Sequence, residues 1–164
     1  MDIKVNKPAP IALGTEVELF KRGVNVKQTI IALEAGKTFL IKDFYNNGLT
    51  LLDEIQKYLD KKYSDESFKS QRDSDLEYRK LSSQLLIEVI DHKLPVDMSP
   101  SIGWFKLFYP DNKSFLLTFP QVQELEMSWQ EHQEGVSIPV VRNKVHPYYG
   151  THLPTSFEHL VLFD

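Results

Sequence analysis

The sequence predicts an α+β fold: about three helices in the first half, followed by a β-hairpin, a helix and a short strand. In the first half, apolar residues recur at spacings of three and four, the period of one helix face. The second half instead contains two runs dense in aromatic and aliphatic residues, Ile102–Tyr109 and Ser114–Phe119, separated by turn-forming residues. The chain of 164 residues can bury one sizeable core, so we expect one domain over residues 1–141 and a junction over 142–164.

The first half begins with an arm and two helices. Residues 1–13, which include two of the prolines, are predicted to be extended and to pack along the body of the domain. The first helix lies within Val26–Tyr45. Asn46–Gly48 has the composition of a turn, and a second helix then continues to the basic segment Lys61–Tyr63, which suits the negative end of its dipole.

A third helix is expected after an exposed connection. The polar stretch Ser64–Asp75 is predicted to be that connection, and Ser74–Glu77 has the spacing of a capping box that would open the helix. The helix would continue to Asp91 and bury one apolar side, formed by Leu81, Leu85, Leu86, Val89 and Ile90. The sequence thus predicts that Leu85 is a core residue.

The second half is expected to contain the sheet. Pro110–Lys113 supplies the turn between the two aromatic runs, which predicts a hairpin. Pro120 is suited to the first turn of a following helix, and Gly135 to its end. Val136–Val141 alternates enough to predict a short strand.

Composition excludes several classes of function. The net charge of −4 argues against a non-specific nucleic-acid binder, which would carry a basic excess. Without cysteine, the chain has neither disulfides nor thiolate chemistry. No stretch approaches the roughly 20 apolar residues of a membrane span, and the first ten residues lack a signal-peptide pattern, so we expect a cytoplasmic protein with no membrane partner.

Candidate catalytic, metal and nucleotide sites are weak in this sequence. The five histidines lack His-Glu-x-x-His spacing, and Asp91-His92 is more typical of a helix end than of a catalytic pair. Gly36-Lys-Thr38 lacks the earlier glycine of a phosphate-binding loop. The seven glycines are scattered, so they form no glycine-rich turn that could bind a nucleotide. Trp104 and Trp129 are expected in the core rather than in a binding site. We therefore predict no catalytic, cofactor-binding or metal site in this segment.

The segment Arg142–Asp164 is the best candidate for binding. It concentrates three histidines, two adjacent tyrosines and two prolines, and loops of this kind on a rigid scaffold often carry ligand contacts. We expect these side chains to lie at an edge of the domain rather than in its core. The candidate substrate-binding residues are His146, Tyr148, Tyr149, His152 and Thr155.

This segment resembles the junction before the catalytic core in one group of class I S-adenosylmethionine-dependent methyltransferases. In that group a His-Pro-aromatic-Tyr-Gly segment leads through Pro-Thr-Arg and a Glu-(aromatic or His)-Leu element into the cofactor-binding domain. The sequence departs at Ser156, where the group has Arg. The matching residues are His146–Gly150, Pro154-Thr155 and Glu158–Leu160, with weaker similarity in Phe115–Gln121 and Gly135–Pro139.

The resemblance implies an N-terminal substrate-recognition or lid domain that is not catalytic by itself. It implies a catalytic domain in cis, beyond Asp164, that binds S-adenosylmethionine and acts on an unidentified substrate. The alternative is a stand-alone protein-interaction or small-ligand-binding module that uses the aromatic segment as its contact surface. A reading frame that continues into a strand and a glycine-rich turn favours the first hypothesis, and a stop codon directly after Asp164 favours the second.

Overall fold

A computed structural model describes residues 6–151 and shows five helices and one four-stranded sheet, so the predicted α+β class is confirmed. The strands lie in the order β1-β2-β3-β4. The first three are parallel, and β4 runs antiparallel to β3. Their order along the chain is β1 Glu18–Phe20, α1 Val26–Glu34, β2 Phe39–Ile41, α2 Tyr45–Lys62, α3 Phe68–Ser82, β3 Leu85–Ile90, α4 Trp104–Phe108, β4 Ser114–Thr118 and α5 Phe119–Glu134.

The predicted first helix divides into a helix and a strand. Only α1 is helical, and its N-cap Asn25 accepts a hydrogen bond from the backbone N–H of Gln28 at 3.0 Å. The apolar residues that follow form β2, which pairs with β1 on one side and β3 on the other. Both strands have only three residues, too few for an alternating pattern to show. The first half thus contains the expected three helices and also two strands that the sequence did not predict.

Helix α2 is confirmed, but it begins before the predicted turn. Asn46 and Gly48 lie inside the helix. Gly48 is needed for a close approach between helices rather than for a turn, because a Cβ atom there would lie 2.3 Å from the ring of Phe119. The turn prediction therefore failed because it considered only backbone freedom.

The predicted third helix, Ser74–Asp91, is wrong at both ends. Helix α3 begins at Phe68, where Ser67 provides the cap, so most of the expected exposed connection is helical. The helix ends at Ser82, and Leu85–Ile90 forms the central strand β3. A strand covered on both faces is apolar at nearly every position and cannot be distinguished from a buried helix by its pattern alone. Leu85 is nevertheless fully buried, as expected.

The predicted hairpin is wrong because its first arm is a helix, but its second arm, Ser114–Phe119, contains the strand β4 as expected. Trp104–Phe108 forms the short helix α4, and β4 pairs with β3 instead, with Ile87 opposite Leu117. Five of the residues from Ile102 to Tyr109 are buried, which explains the apolar run without a strand. A single helical turn is too short to produce a recognisable helical period.

Helix α5 matches its prediction closely. Thr118 and Gln121 form a capping box, and Pro120 occupies the first turn. Gly135 ends the helix with a φ of 77°, a conformation that favours glycine. The strand expected at Val136–Val141 is absent from the described residues, and only an isolated bridge joins Val136 to Val145.

The two faces of the sheet are covered differently. On one face, alternate strand residues join a single core cluster with buried residues of all five helices. On the other face Leu40, Leu86 and Leu116 form a small separate cluster against Ile11 and Val17. The predicted extended arm thus packs on the sheet, and Ile11 pairs with Leu116 through backbone hydrogen bonds of 2.8 and 2.9 Å.

A polar network links α1, α2 and α3 at the surface. Glu77 accepts hydrogen bonds from Lys62 Nζ at 2.8 Å and from the Tyr63 hydroxyl at 2.6 Å. Tyr58 donates to Glu34 at 2.8 Å. Burial alone would raise the pKa of Glu77, but the hydrogen bonds from Lys62 and Tyr63 outweigh it and lower that pKa.

In residues 6–151, no helix combines the length and the apolar character that crossing a membrane requires.

Candidate functional site

An aromatic cluster centred on Trp104 joins α4, α5 and the loop that follows them. Trp104 is fully buried and stacks on Phe108, with ring centroids 5.0 Å apart. From α5, Trp129 meets it edge-on at 4.9 Å and His132 lies at 4.7 Å. Tyr148 completes the cluster from the loop, at 4.9 Å in an edge-on arrangement. Such edge-to-face and offset contacts stabilise aromatic pairs beyond the area that they bury.

Two histidine contacts hold the loop against α5, one from His132 on the helix and one from His146 on the loop. The ring Nδ1 of His132 lies 3.0 Å from the carbonyl oxygen of Pro147, and Nδ1 of His146 lies 2.7 Å from the carbonyl oxygen of His132. A carbonyl only accepts, so both Nδ1 atoms must carry the proton. His146 thus anchors the loop, and in the neutral form its Nε2 is left as an acceptor.

Gly135 allows the chain to return closely on itself at this point. A Cβ atom at Gly135 would lie 2.9 Å from the ring of His146 and 2.9 Å from the Cβ of Lys144. The bridge between Val136 and Val145 lies beside it. The glycine therefore both ends α5 and lets the loop pack against the helix end.

The loop and the outer side of α5 enclose an open groove of about 760 Å³. Its helical side contains Glu124, Met127 and Glu131, at the spacings of three and four residues that place them on one helix face. Its loop side is the segment Pro147–Thr151, with Tyr148 and Tyr149 among the lining residues. Among the described lining residues two are acidic and none is basic, so the groove favours neutral or cationic ligands.

The two tyrosines differ in their surroundings. Tyr148 is 41% exposed and presents part of its ring to the groove. Tyr149 is half-buried, with its ring 5.5 Å from that of Phe108 and packed against the main core. Burial, and to a lesser degree the charge of Glu124, raises the pKa of Tyr149, so its hydroxyl is a weaker acid than that of an ordinary tyrosine.

The predicted site residues are distributed unevenly around this groove. Tyr148 and Tyr149 line it, whereas His146 is exposed and contacts the end of α5 without lining the groove. His152 and Thr155 lie outside the described residues. Sequence reasoning missed Glu124, Met127 and Glu131. The signal in the sequence was a methionine between acidic residues, and in the structure Met127 is 63% exposed.

The other sequence features have structural explanations. Asp91 and His92 both have positive φ, 49° and 64°, in the turn after β3, and His92 Nε2 lies 2.9 Å from the carbonyl oxygen of Tyr109. Gly36-Lys-Thr38 joins α1 to β2, whereas a phosphate-binding loop would join a strand to a helix. Trp104 is a core residue as predicted, and Trp129 is half-buried. Within residues 6–151 no three acidic or histidine side chains come together as a metal site.

No family model matches the chain, and no curated protein matches it at a significant level.

Proposed function

We propose that this chain is the N-terminal substrate-recognition or lid domain of an S-adenosylmethionine-dependent methyltransferase and is not catalytic by itself. The observation that carries the proposal is the placement of Tyr148 and Tyr149 along the groove beside α5. Both belong to the His146–Gly150 segment that resembles the methyltransferase junction. The proposal includes a catalytic domain in cis and the cytoplasmic location that the sequence predicts.

The way the loop is mounted supports a positioning role. Tyr148 touches three rings of the aromatic cluster, and Pro147 beside it is buried and receives the His132 contact. A side chain held from several directions can orient a substrate with little loss of conformational freedom on binding. The groove therefore offers a fixed surface that a neighbouring catalytic domain could close over.

The charge of the groove supports a particular class of methyl acceptor. Glu124 and Glu131 on the helical side would repel a phosphate-rich ligand and attract an amine or guanidinium group. Tyrosine faces also attract cations. We therefore propose a neutral or cationic acceptor and regard nucleic acid as the poorest fit.

The size of the groove favours a second candidate function. Small-molecule sites commonly enclose about 300–1,000 Å³, and this groove has about 760 Å³. A stand-alone small-ligand-binding or protein-interaction module would use the same surface. In that case the 164-residue chain would bind its ligand without a catalytic domain.

Two measurements test the methyltransferase proposal. Calorimetric titration of the 164-residue chain with S-adenosylmethionine should show no binding in the low micromolar range, because the cofactor site lies in the catalytic domain. In the protein that includes that domain, Tyr148→Ala should lower kcat/KM about tenfold or more when it is assayed at a temperature at which the variant is fully folded. The acceptor is first identified by transfer of a labelled methyl group from S-adenosylmethionine to small-molecule, protein and RNA fractions of a cell extract, and kcat/KM is then measured with that acceptor.

The matched control is Phe68→Ala, which removes an 83% exposed aromatic ring outside the groove and should leave methyl transfer unchanged. Tight binding of S-adenosylmethionine to the isolated chain would contradict this division of labour. A gene that ends at Asp164 without a partner catalytic domain would leave the small-ligand or interaction module as the supported function.

A further inference from the structure

A second groove, of about 680 Å³, lies between α1 and α2 and shares no lining residue with the groove at α5. Its floor is apolar. Ile31 on α1 is 65% exposed there, beside the buried Ile30 and the half-buried Tyr58. Ile31 thus adds an exposed apolar side chain to a groove that polar residues border.

Lysines border this apolar floor on both helices. Lys27 stands one turn before Ile31 on α1, and Lys57 and Lys61 stand one turn apart on α2. Lys57 already pairs with Asp53 at 2.8 Å and with Glu54 at 3.2 Å. Lys27 and Lys61 make no ion pair with any residue in 6–151. Three lysines and one glutamate, Glu54, thus line the groove, an excess of positive charge on a chain whose net charge is −4.

We propose that this groove binds an acidic amphipathic helix of a partner protein. The trough between two packed helices fits a third helix, whose apolar face would cover Ile31 and Tyr58. Lys61, which makes no ion pair within residues 6–151, would meet a carboxylate on one flank of the bound helix. Lys27, on the opposite side, would meet an acidic residue on the other flank of that helix.

The placement of charge and apolar surface favours a helix over an anionic membrane. The apolar residues lie between two helices with lysines on both sides, which suits a narrow rod rather than a flat bilayer. The acidic chain as a whole would be repelled by an extended anionic surface. A single helix would instead be governed by the charges within about 10 Å of the groove.

The test uses a fluorescent synthetic helix of about 20 residues, with leucines at i, i+3, i+4 and i+7 and glutamates on the flanks. Fluorescence anisotropy with the 164-residue chain should show saturable binding that weakens with added salt. The same peptide with lysine in place of glutamate should bind at least about tenfold more weakly. Ile31→Ser, and separately Lys27→Glu, should each weaken binding of the acidic peptide about fivefold or more.

The charge control is Lys69→Glu, which changes the net charge equally at an exposed position on α3 and should leave binding unchanged. Equal effects of Lys27→Glu and Lys69→Glu, or equal binding of the acidic and basic peptides, would overturn the proposal. Vesicles containing anionic phospholipid form the last comparison. If Ile31→Ser and Lys27→Glu abolish vesicle binding while the acidic peptide does not bind, the surface is a membrane contact instead.

Discussion

Replacing Gly48 with alanine brings two opposite effects into competition at one position. Gly48 lies inside α2, where alanine is favoured over glycine by about 1 kcal/mol. Its added Cβ atom would lie 2.3, 2.4 and 2.8 Å from three ring atoms of Phe119 at the start of α5. Carbon atoms pack at about 3.5–4.0 Å, so the ring would have to move by about 1 Å or more.

The surroundings of Phe119 leave little room for that movement. The ring is fully buried and lies 5.0 Å from the ring of Tyr45. The hydroxyl of Tyr45 donates to Glu126 at 2.9 Å, so the Tyr45 side chain is held by this hydrogen bond as well as by its backbone. Overpacking of a core costs about 1–3 kcal/mol, and contact with three ring atoms places Gly48→Ala in the upper part of that range. After the helical gain is subtracted, we expect a net loss of about 1–2 kcal/mol.

Urea denaturation of the 164-residue chain measures this loss. With an m value of about 2 kcal/mol/M, the midpoint should fall by about 0.5–1 M. Thr50→Ala, at an exposed position of the same helix, measures the gain in helix propensity alone and should raise the midpoint by up to about 0.3 M. In the double variant Gly48→Ala/Phe119→Leu, the smaller side chain should recover at least about 1 kcal/mol relative to additivity. A stabilised Gly48→Ala variant would refute the reasoning, because it would show that the ring moves freely.

Three further predictions concern the core, the polar network and the loop. Leu85→Ala should cost about 2–5 kcal/mol in urea melts because it leaves a cavity in the central strand, whereas the half-exposed Leu76→Ala should stay within about 0.5 kcal/mol. The lowered pKa of Glu77 adds stability above its unfolded pKa, near 4.5, and that stability is lost as pH falls through the folded value. Glu77→Gln should therefore flatten the decline of Tm between about pH 5 and pH 3, and an unchanged acid profile would contradict the network. Tyr149→Ala should lower stability by on the order of 1 kcal/mol because its ring packs on the core, and Tyr149→Phe should restore it.

The sequence predicted helices α2 and α5 well because each carries several turns of one apolar face. The capping box at Thr118–Gln121 and the glycine after Glu134 mark the two ends of α5, and both signals can be recognised from the local sequence. The strands were harder to predict. Leu85–Ile90 is covered on both faces, and β1 and β2 are only three residues long, so none of them shows a period of two.

Only the loop side of the groove at α5 could be predicted from the sequence. Tyr148 and Tyr149 were available from local composition, because they lie in one short loop. Glu124 and Glu131 become part of the groove only through the return of the chain after Gly135, which is a tertiary contact. The same applies to Gly48, whose neighbour Phe119 is distant in sequence.

The arm that covers the second face of the sheet has a consequence for synthesis of the protein. Ile11 leaves the ribosome early, whereas its partner Leu116 is translated much later. The Tyr109 hydroxyl donates to the Pro8 carbonyl oxygen across 101 positions of sequence, so this contact also forms late. Closing so long a loop carries an entropic cost before any contact is gained. The arm must therefore wait until β4, which contains Leu116, has been translated. Until the arm docks, Leu40 and Leu86 face water on the nascent chain. That interval is when a chaperone would have an apolar surface to hold.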